Sequence, residues 1–421
     1  MDTSPSSTHH PLPVKAINTV LGLLNTFGLG KVDISLSALL NTAQQETGLH
    51  SLGDEHFMPA LKMLLEDLQT YADLNPFGRL HAKATVLNAL KNQLWANACY
   101  EEHPELASKQ ISDPVIIIGP VRSGTTRLQR MLASDRRFQH LTAWEGFNPA
   151  PRPNLHDAGR EQRRQEVVKF LSAGEKINPG AFAAHPMDAD AADEEILLLN
   201  QSFAGLSYAA LYHVPTFTEQ LLEHEPVAAY ASMARMLNLV TWTRNKTDIR
   251  PWILKTPQHM LHLNTLLQTF PKAKLIFIHR DPIKTVASTL SLAWNFSVLN
   301  TNAPRRAAIR DTWMRLCETM AQRCIAARNT LPADQQCDVY YDEMNKDWPA
   351  VMERIYGFIG LEYTPEAKKA MGDWLTASES ANIHGNHRYD LADYGLSPGE
   401  VDARMRFYRD QYQIPYESGR P

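Results

Sequence analysis

The sequence predicts an α/β fold, a parallel sheet flanked by helices, with an all-α N-terminal extension and a helical insertion. Three observations carry that prediction. Short apolar runs bounded by Pro or Gly, such as Val115-Ile116-Ile117-Ile118, have the texture of strands buried on both faces. Each run leads into a turn and then into apolar residues at helical spacing, the rhythm of strand–helix crossovers. Two of the turns also carry helix-start chemistry: Thr256 and Asp281 stand where an N-cap oxygen is wanted, and Pro257 and Pro282 fall at the first helical position.

Taken in order, residues 1–13 are rich in Ser, His and Pro, lack the apolar stretch of a signal peptide, and read as a disordered tail. From about residue 14 to 110 the pattern is helical. Val14, Ile17, Leu21, Leu24 and Phe27 form one stripe, and Phe57, Leu61, Leu64, Leu65 and Leu68 another. Gly28 and Gly30 break the first, and Asn75-Pro76 the second. Such stripes pack on each other or on the main domain; the alternative is that one docks on a membrane surface or on a second copy of the chain. The larger domain, 111–421, opens with the strand 115–118, a glycine-containing turn, and a helix through Leu128, Met131 and Leu132. A second unit starts at Trp252-Ile253-Leu254, turns at Lys255-Thr256-Pro257 and continues through Leu261, Leu263 and Leu267. A third starts at 275–278, turns at His279-Arg280-Asp281-Pro282 and continues through Val286 and Leu290. The fourth expected strand is 339–341, with a helix through Met352, Ile355 and Phe358 behind it. Residues 154–250, helical and polar in patches, form the insertion, suited to a lid or an acceptor site.

Composition removes several function classes. A chain of 421 residues can bury a large core. Its net charge of −4 offers none of the basic excess of a nucleic-acid binder. Cys99, Cys317, Cys324 and Cys337 form no CxxC pair and read as reduced thiols, not as a zinc or disulfide framework. The apolar runs are far too short to cross a bilayer. A cytoplasmic enzyme is the expectation.

The chemistry concentrates in Gly119-Pro-Val-Arg122-Ser123-Gly124-Thr125-Thr126. The glycine spacing is P-loop-like, and the setting between a buried strand and a helix is the one such a loop requires. Its lysine is missing: Thr125 stands in that place, while a cation, Arg122, lies earlier. The backbone amides of residues 123–126 at a helix N-terminus still suit an anion. The loop therefore fits a phosphate but not the hydrolysis of ATP or GTP. In an open parallel sheet, ligands bind outside the carboxyl ends of the strands. Arg122, Lys255 and Arg280 follow three separate strands and converge on that edge.

With these residues in view, the chain from about 113 onward resembles the sulfotransferase superfamily, in particular its bacterial branch, and more distantly the tyrosylprotein sulfotransferases. The resemblance implies the donor 3′-phosphoadenosine-5′-phosphosulfate and no metal. It implies that Arg122, Ser123, Gly124, Thr125 and Thr126 hold the 5′-phosphosulfate end. Arg280 and Ser288, eight residues apart, would hold the 3′-phosphate, and Tyr341 would lie beside the nucleotide. Arg388-Tyr389 through Asp393-Tyr394-Gly395-Leu396 is similar to a C-terminal stretch of the bacterial branch, and Arg388 is counted with the donor site.

Sulfuryl transfer is an in-line displacement, so catalysis rests on positioning and electrostatics. Arg122 and Lys255 are expected to stabilise the leaving oxygen; Lys255-Thr-Pro257 matches a lysine followed by proline in the tyrosylprotein branch. Glu145, beside Trp144 and Phe147, is expected to be the general base, with a pKa raised by an apolar setting. His185, His259 and the cluster Asp193-Glu194-Glu195 are the rivals, the cluster otherwise reading as first-turn residues of a helix. A P-loop kinase of a small metabolite and a catalytically silent nucleotide-binding protein are the competing functions. Apolar residues between 182 and 212 hint at a hydrophobic small-molecule or lipid hydroxyl as acceptor.

Overall fold

A computed structural model of the chain describes residues 10–27, 32–108, 111–153, 155, 159–245, 247–380 and 390–421. The expected disordered start and the breaks at Gly28 and Gly30 lie outside these, although residues 12 and 13 of the expected tail already belong to a helix, Leu12–Thr26.

The centre is a five-stranded sheet: β1 Val115–Ile118, β2 Gln139–His140, β3 Trp252–Lys255, β4 Lys274–His279 and β5 Gln336–Tyr340. The order is β2-β3-β1-β4-β5, and every pairing is parallel. Ile116 of β1 lies between Leu254 of β3 and Leu275 of β4. These three inner strands form where the apolar runs place them. The edges differ from expectation. β2 carries no apolar run and was not expected. β5 begins at Gln336, and Tyr341, expected to close the strand, instead opens the helix Tyr341–Lys346. Both are edge strands, where the apolar signal fades: β5 is half-buried, and Gln139 of β2, though buried, donates its side-chain amide to the Arg250 carbonyl at 2.9 Å.

Alternate residues of the strands feed two cores. Ile116, Ile118, Leu254, Leu275 and Phe277 face one side. Val115, Ile117, Ile253, Ile276, Ile278 and Val339 face the other, against Leu128 and Leu132 of the helix Thr125–Ala133 and Met352 and Ile355 of Trp348–Ile359. On the first side the helices Leu36–Thr47, Met58–Thr70 and Pro76–Glu102 place Leu39, Leu61, Leu64 and Leu90 in the same core as the sheet. The helix Val227–Arg244, the last of the insertion between β2 and β3, adds Met233 and Leu237. Each large buried side chain contributes about 1.5–3 kcal/mol. Asn75-Pro76, expected to break the second stripe, separates the helix Met58–Thr70 from Pro76–Glu102, and Asn75 caps the latter: its Oδ1 accepts from the amide of Gly78 at 2.7 Å, and its Nδ2 donates to the Leu299 carbonyl at 2.8 Å.

Helix Leu12–Thr26 buries Val14 against Val298 and Leu299. Leu12, Val20, Leu23, Leu24 and Phe27 stay exposed, Phe27 by 78 %. No helix among the described residues is long and apolar enough to cross a membrane.

The topology itself marks a binding edge. The crossover from β1 leads to β2 on one side, and that from β4 leads to β5 on the other. β1 and β4 are neighbours, so a crevice opens between their carboxyl ends.

Candidate active site

The loop after β1 is built tightly into this crevice. A Cβ on Gly119 would lie 2.5 Å from Cγ2 of Ile278, and one on Gly124 would lie 3.0 Å from Cδ2 of Tyr341. Gly124 has φ +94° and Arg122 φ +69°, so the chain turns through two left-handed residues before the helix Thr125–Ala133 begins. Ser123 is fully buried, and its hydroxyl has no hydrogen-bond partner. Leaving such a group unmet costs about 1–3 kcal/mol. An anion seated at this helix N-terminus would complete it, so the loop fits a phosphate or sulfate group.

The second cation site meets the first. Arg122 Nε donates to the Ser288 hydroxyl at 3.1 Å, and Arg280 Nη1 donates to the Arg122 carbonyl at 2.9 Å. The Arg280 guanidinium lies 3.9 Å over the Tyr341 ring, a favourable cation–π distance. Arg280 follows β4 directly. Asp281 caps the helix Pro282–Ser297 by accepting from the amide of Ile283 at 3.0 Å, which puts Ser288, on that helix, within reach of the loop. Arg122, Ser123, Gly124, Arg280, Ser288 and Tyr341 thus stand together. Arg388 lies outside the described residues.

Lys255, at the end of β3, is completely buried. Its Nζ donates to the Thr126 hydroxyl at 3.1 Å and pairs with Glu194. Its amide donates to Glu195 Oε2 at 2.7 Å. Glu195 Oε1 lies 2.6 Å from His259 Nε2, and His259 Nδ1 lies 2.9 Å from the Tyr230 hydroxyl. The acidic cluster does precede a helix, Ile196–Gln201, but two of its carboxylates turn inward to the end of β3. Burial alone would raise the Glu194 pKa; the charges of Lys255 and His185 and hydrogen bonds from Lys255 and Thr256 outweigh that and hold it below the usual value. Burial lowers the His185 pKa, and His185 feels the charges of Asp193, Glu194, Lys255 and Arg122, which places it beside the same group. His259 is different: both ring nitrogens are engaged in a buried chain.

Glu145 departs from expectation. Its carboxylate closes the N-terminus of the helix Ala143–Phe147, accepting from the Thr142 hydroxyl at 2.6 Å, and forms a two-pronged ion pair with Arg244. Burial pushes its pKa up, but Arg244 and Thr142 more than offset this, so the pKa is lowered where a raised one was expected. Neighbouring His140 is held down to about 4 by burial and by Arg244. Glu145 is thus held in an ion pair with Arg244, and the carboxylate paired with the Lys255 ammonium is Glu194.

Tyr230, Arg244 and Glu417, which engage His259, Glu145 and Arg280, were not foreseen. Arg244 is 99 residues from its partner, and no local pattern announces it. Among the described residues no group of three or more His, Cys, Asp or Glu side chains is arranged to hold a metal ion.

Residues 114–365 match the model of the sulfotransferase family. The chain is 24 % identical over 282 residues, 64 % of its own length and 69 % of the relative's, to the ω-hydroxy-β-dihydromenaquinone-9 sulfotransferase Stf3 of Mycobacterium bovis. It is similar to the crystal structure of sulfotransferase STF1 from Mycobacterium tuberculosis H37Rv, with 30 % identity, a TM-score of 0.74, and coverage of 89 % of this chain and 99 % of that one. Sulfotransferase STF9 from Mycobacterium avium aligns with 26 % identity and a TM-score of 0.79 over 93 % and 99 % of the two chains. The family model spans more than half of the sequence, and the chain belongs to the sulfotransferase family.

Proposed function

We propose that this sulfotransferase moves the sulfuryl group of 3′-phosphoadenosine-5′-phosphosulfate to a hydroxyl of an apolar, lipid-like acceptor. The observation that carries the donor assignment is the junction of Arg122, Ser288 and Arg280 at the β1–β4 crevice. Ser123, Gly124, Thr125 and Thr126 would hold the 5′ end; Arg280 and Ser288 would hold the 3′-phosphate, with Tyr341 flanking it. When bound, the donor supplies a sulfuryl group attached to a good leaving oxygen.

The protein's own residues divide the remaining work. Lys255, fixed by Thr126 and Glu194, puts a desolvated positive charge where the leaving oxygen gains negative charge. Glu194 accepts the proton of the acceptor hydroxyl as the new oxygen–sulfur bond forms. Its low pKa keeps it ionised, and it becomes a sufficient base because the hydroxyl turns acidic only as that bond forms.

Two observations favour a lipid-like acceptor. The relative Stf3 is named for a hydroxylated menaquinone. The helix Leu12–Thr26 shows water an apolar face of Leu12, Val20, Leu23, Leu24 and Phe27, suited to resting on a membrane surface. Labelled-sulfate transfer to long-chain lipid alcohols is compared with transfer to water-soluble phenols and sugars. Higher kcat/KM on the lipid alcohols is expected; equal or better turnover of the soluble acceptors would defeat this reading. Flotation with anionic vesicles tests the helix face, and self-association without vesicle binding would assign it to a second copy instead.

A further inference from the structure

The C-terminal segment brings a carboxylate to the centre of the donor site. Arg280 Nε donates to Glu417 Oε1 at 2.8 Å and Nη2 donates to Oε2 at 3.0 Å. This two-donor edge of a guanidinium is the one that best recognises a phosphate. The opposite nitrogen, Nη1, is already on the Arg122 carbonyl, and the flat face is on Tyr341.

Glu417 is held there by construction. Its amide donates to Asp281 Oδ2 at 2.9 Å, while Asp281 Oδ1 accepts from Ile283 and from Arg409 Nη2 at 2.6 Å. The preceding Tyr416 stacks 3.6 Å from the Arg409 guanidinium and donates its hydroxyl to Asp402 at 3.0 Å. The backbone of the segment is therefore pinned to the residue that caps the helix carrying Ser288. The two side chains of the pair are 16 % and 18 % exposed, so the carboxylate can swing to water without moving the backbone.

We infer that Glu417 is an exchange ligand for Arg280: its carboxylate occupies the 3′-phosphate subsite of the empty enzyme and is displaced when the nucleotide arrives. The inference rests on the assignment of Arg280 to the 3′-phosphate. A carboxylate and a phosphate cannot share one guanidinium edge without strong repulsion. Giving up the ion pair on binding, and regaining it on release, loosens the hold on every nucleotide that carries a 3′-phosphate. The spent nucleotide, 3′-phosphoadenosine 5′-phosphate, keeps that phosphate, so Glu417 hastens its departure. The ion pair also keeps a desolvated arginine from standing uncompensated between turnovers.

The test is titration calorimetry on the full chain with 3′-phosphoadenosine 5′-phosphate and, as the control, adenosine 5′-monophosphate. Glu417→Gln retains the backbone donor to Asp281 and the side-chain volume; Glu417→Ala removes the competing group altogether. Both variants are expected to tighten the 3′-phosphorylated nucleotide on the order of tenfold and the control by less than twofold. The dissociation rate of the former falls in proportion. Arg280→Ala should weaken the 3′-phosphorylated nucleotide about a hundredfold and erase the effect of either Glu417 variant. Unchanged or weaker binding in both Glu417 variants, with Arg280→Ala still damaging, would overturn the exchange role and leave Glu417 as a brace for Arg280. Unimpaired binding in Arg280→Ala would instead remove the donor-site assignment.

Discussion

The ammonium of Lys255 stands 3.1 Å from the hydroxyl of Thr126, joining the end of β3 to the first turn of the helix after β1. Two strands that are hydrogen-bonded neighbours thus deliver a cation and a helix N-terminus to one point. Lys255 has no exposed surface, so its charge is sustained by Glu194 alone among the described carboxylates paired with it.

That dependence predicts a split between activity and stability. Lys255→Ala should lower kcat on the order of a hundredfold and also lower Tm, because it strands the Glu194 carboxylate. The double variant Lys255→Met with Glu194→Gln should regain the Tm of the parent without regaining turnover. Differential scanning calorimetry beside steady-state kinetics reads both; recovery of activity in the double variant would disprove a catalytic role for the lysine.

Glu194→Gln should reduce kcat by about 10²–10⁴-fold while leaving the affinity for 3′-phosphoadenosine 5′-phosphate within a few fold. Because the pKa of Glu194 is held below its ordinary value, the parent enzyme should show no acid limb between pH 8 and about 4.3. An inflection near neutrality, removed by His185→Gln, would transfer the base role to the imidazole.

Glu145→Gln tests the corrected reading of that residue. It leaves the Arg244 guanidinium without its counter-charge and should cost about 3 kcal/mol of stability, with kcat of the folded protein nearly unchanged. The sign of the pH effect follows from the lowered pKa of Glu145. Its stabilisation is fully present above the unfolded value near 4.3 and is lost as pH falls through the folded value. The variant should therefore lose less stability than the parent between neutral and acid pH, as followed by urea unfolding at several pH values.

Ser123→Ala should leave the empty protein as stable as before or slightly more so, since the buried hydroxyl has no partner to lose. It should weaken 3′-phosphoadenosine 5′-phosphate on the order of tenfold. Stability that drops with unchanged nucleotide affinity would show that the hydroxyl serves the loop and not the ligand.

How far the sequence carried these conclusions depends on where each signal lives. β1, β3 and β4 were legible because they are buried on both faces and their side chains must be apolar. β2 and β5 were not, because an edge strand tolerates Gln, Asp and His. The meeting of Arg122 and Arg280, and the approach of Lys255 to the same loop, were legible through topology, since residues that follow parallel strands reach the same edge; Ser288, inside a helix, was expected only through the family resemblance. The raised pKa expected of Glu145 failed because apolar neighbours in sequence say nothing of the charged partner, Arg244, that the fold brings to it. A local warning was present in Thr142-Ala-Trp-Glu145, the spacing of a capping box, which engages the carboxylate with its own helix start. The direction of Glu194 and Glu195 was hidden, since their partners, Lys255 and His259, lie about sixty residues on and only the finished sheet brings them close.

The helix Pro282–Ser297 gives the molecule a built-in distance. Its 16 residues span about 24 Å at 1.5 Å per residue. Asp281 caps its start and accepts from Arg409, and Ser288, its seventh residue, accepts from Arg122, while Val298 and Leu299 beyond its end pack on Val14 of the first helix. Gly78 approaches so closely there that an added methyl carbon would sit 1.9 Å from the Asn300 carbonyl oxygen, which locks that far end in place. Under the proposed function, a highly charged nucleotide and a greasy alcohol have opposite solvent preferences, and a rigid spacer would let each enter from the medium that dissolves it.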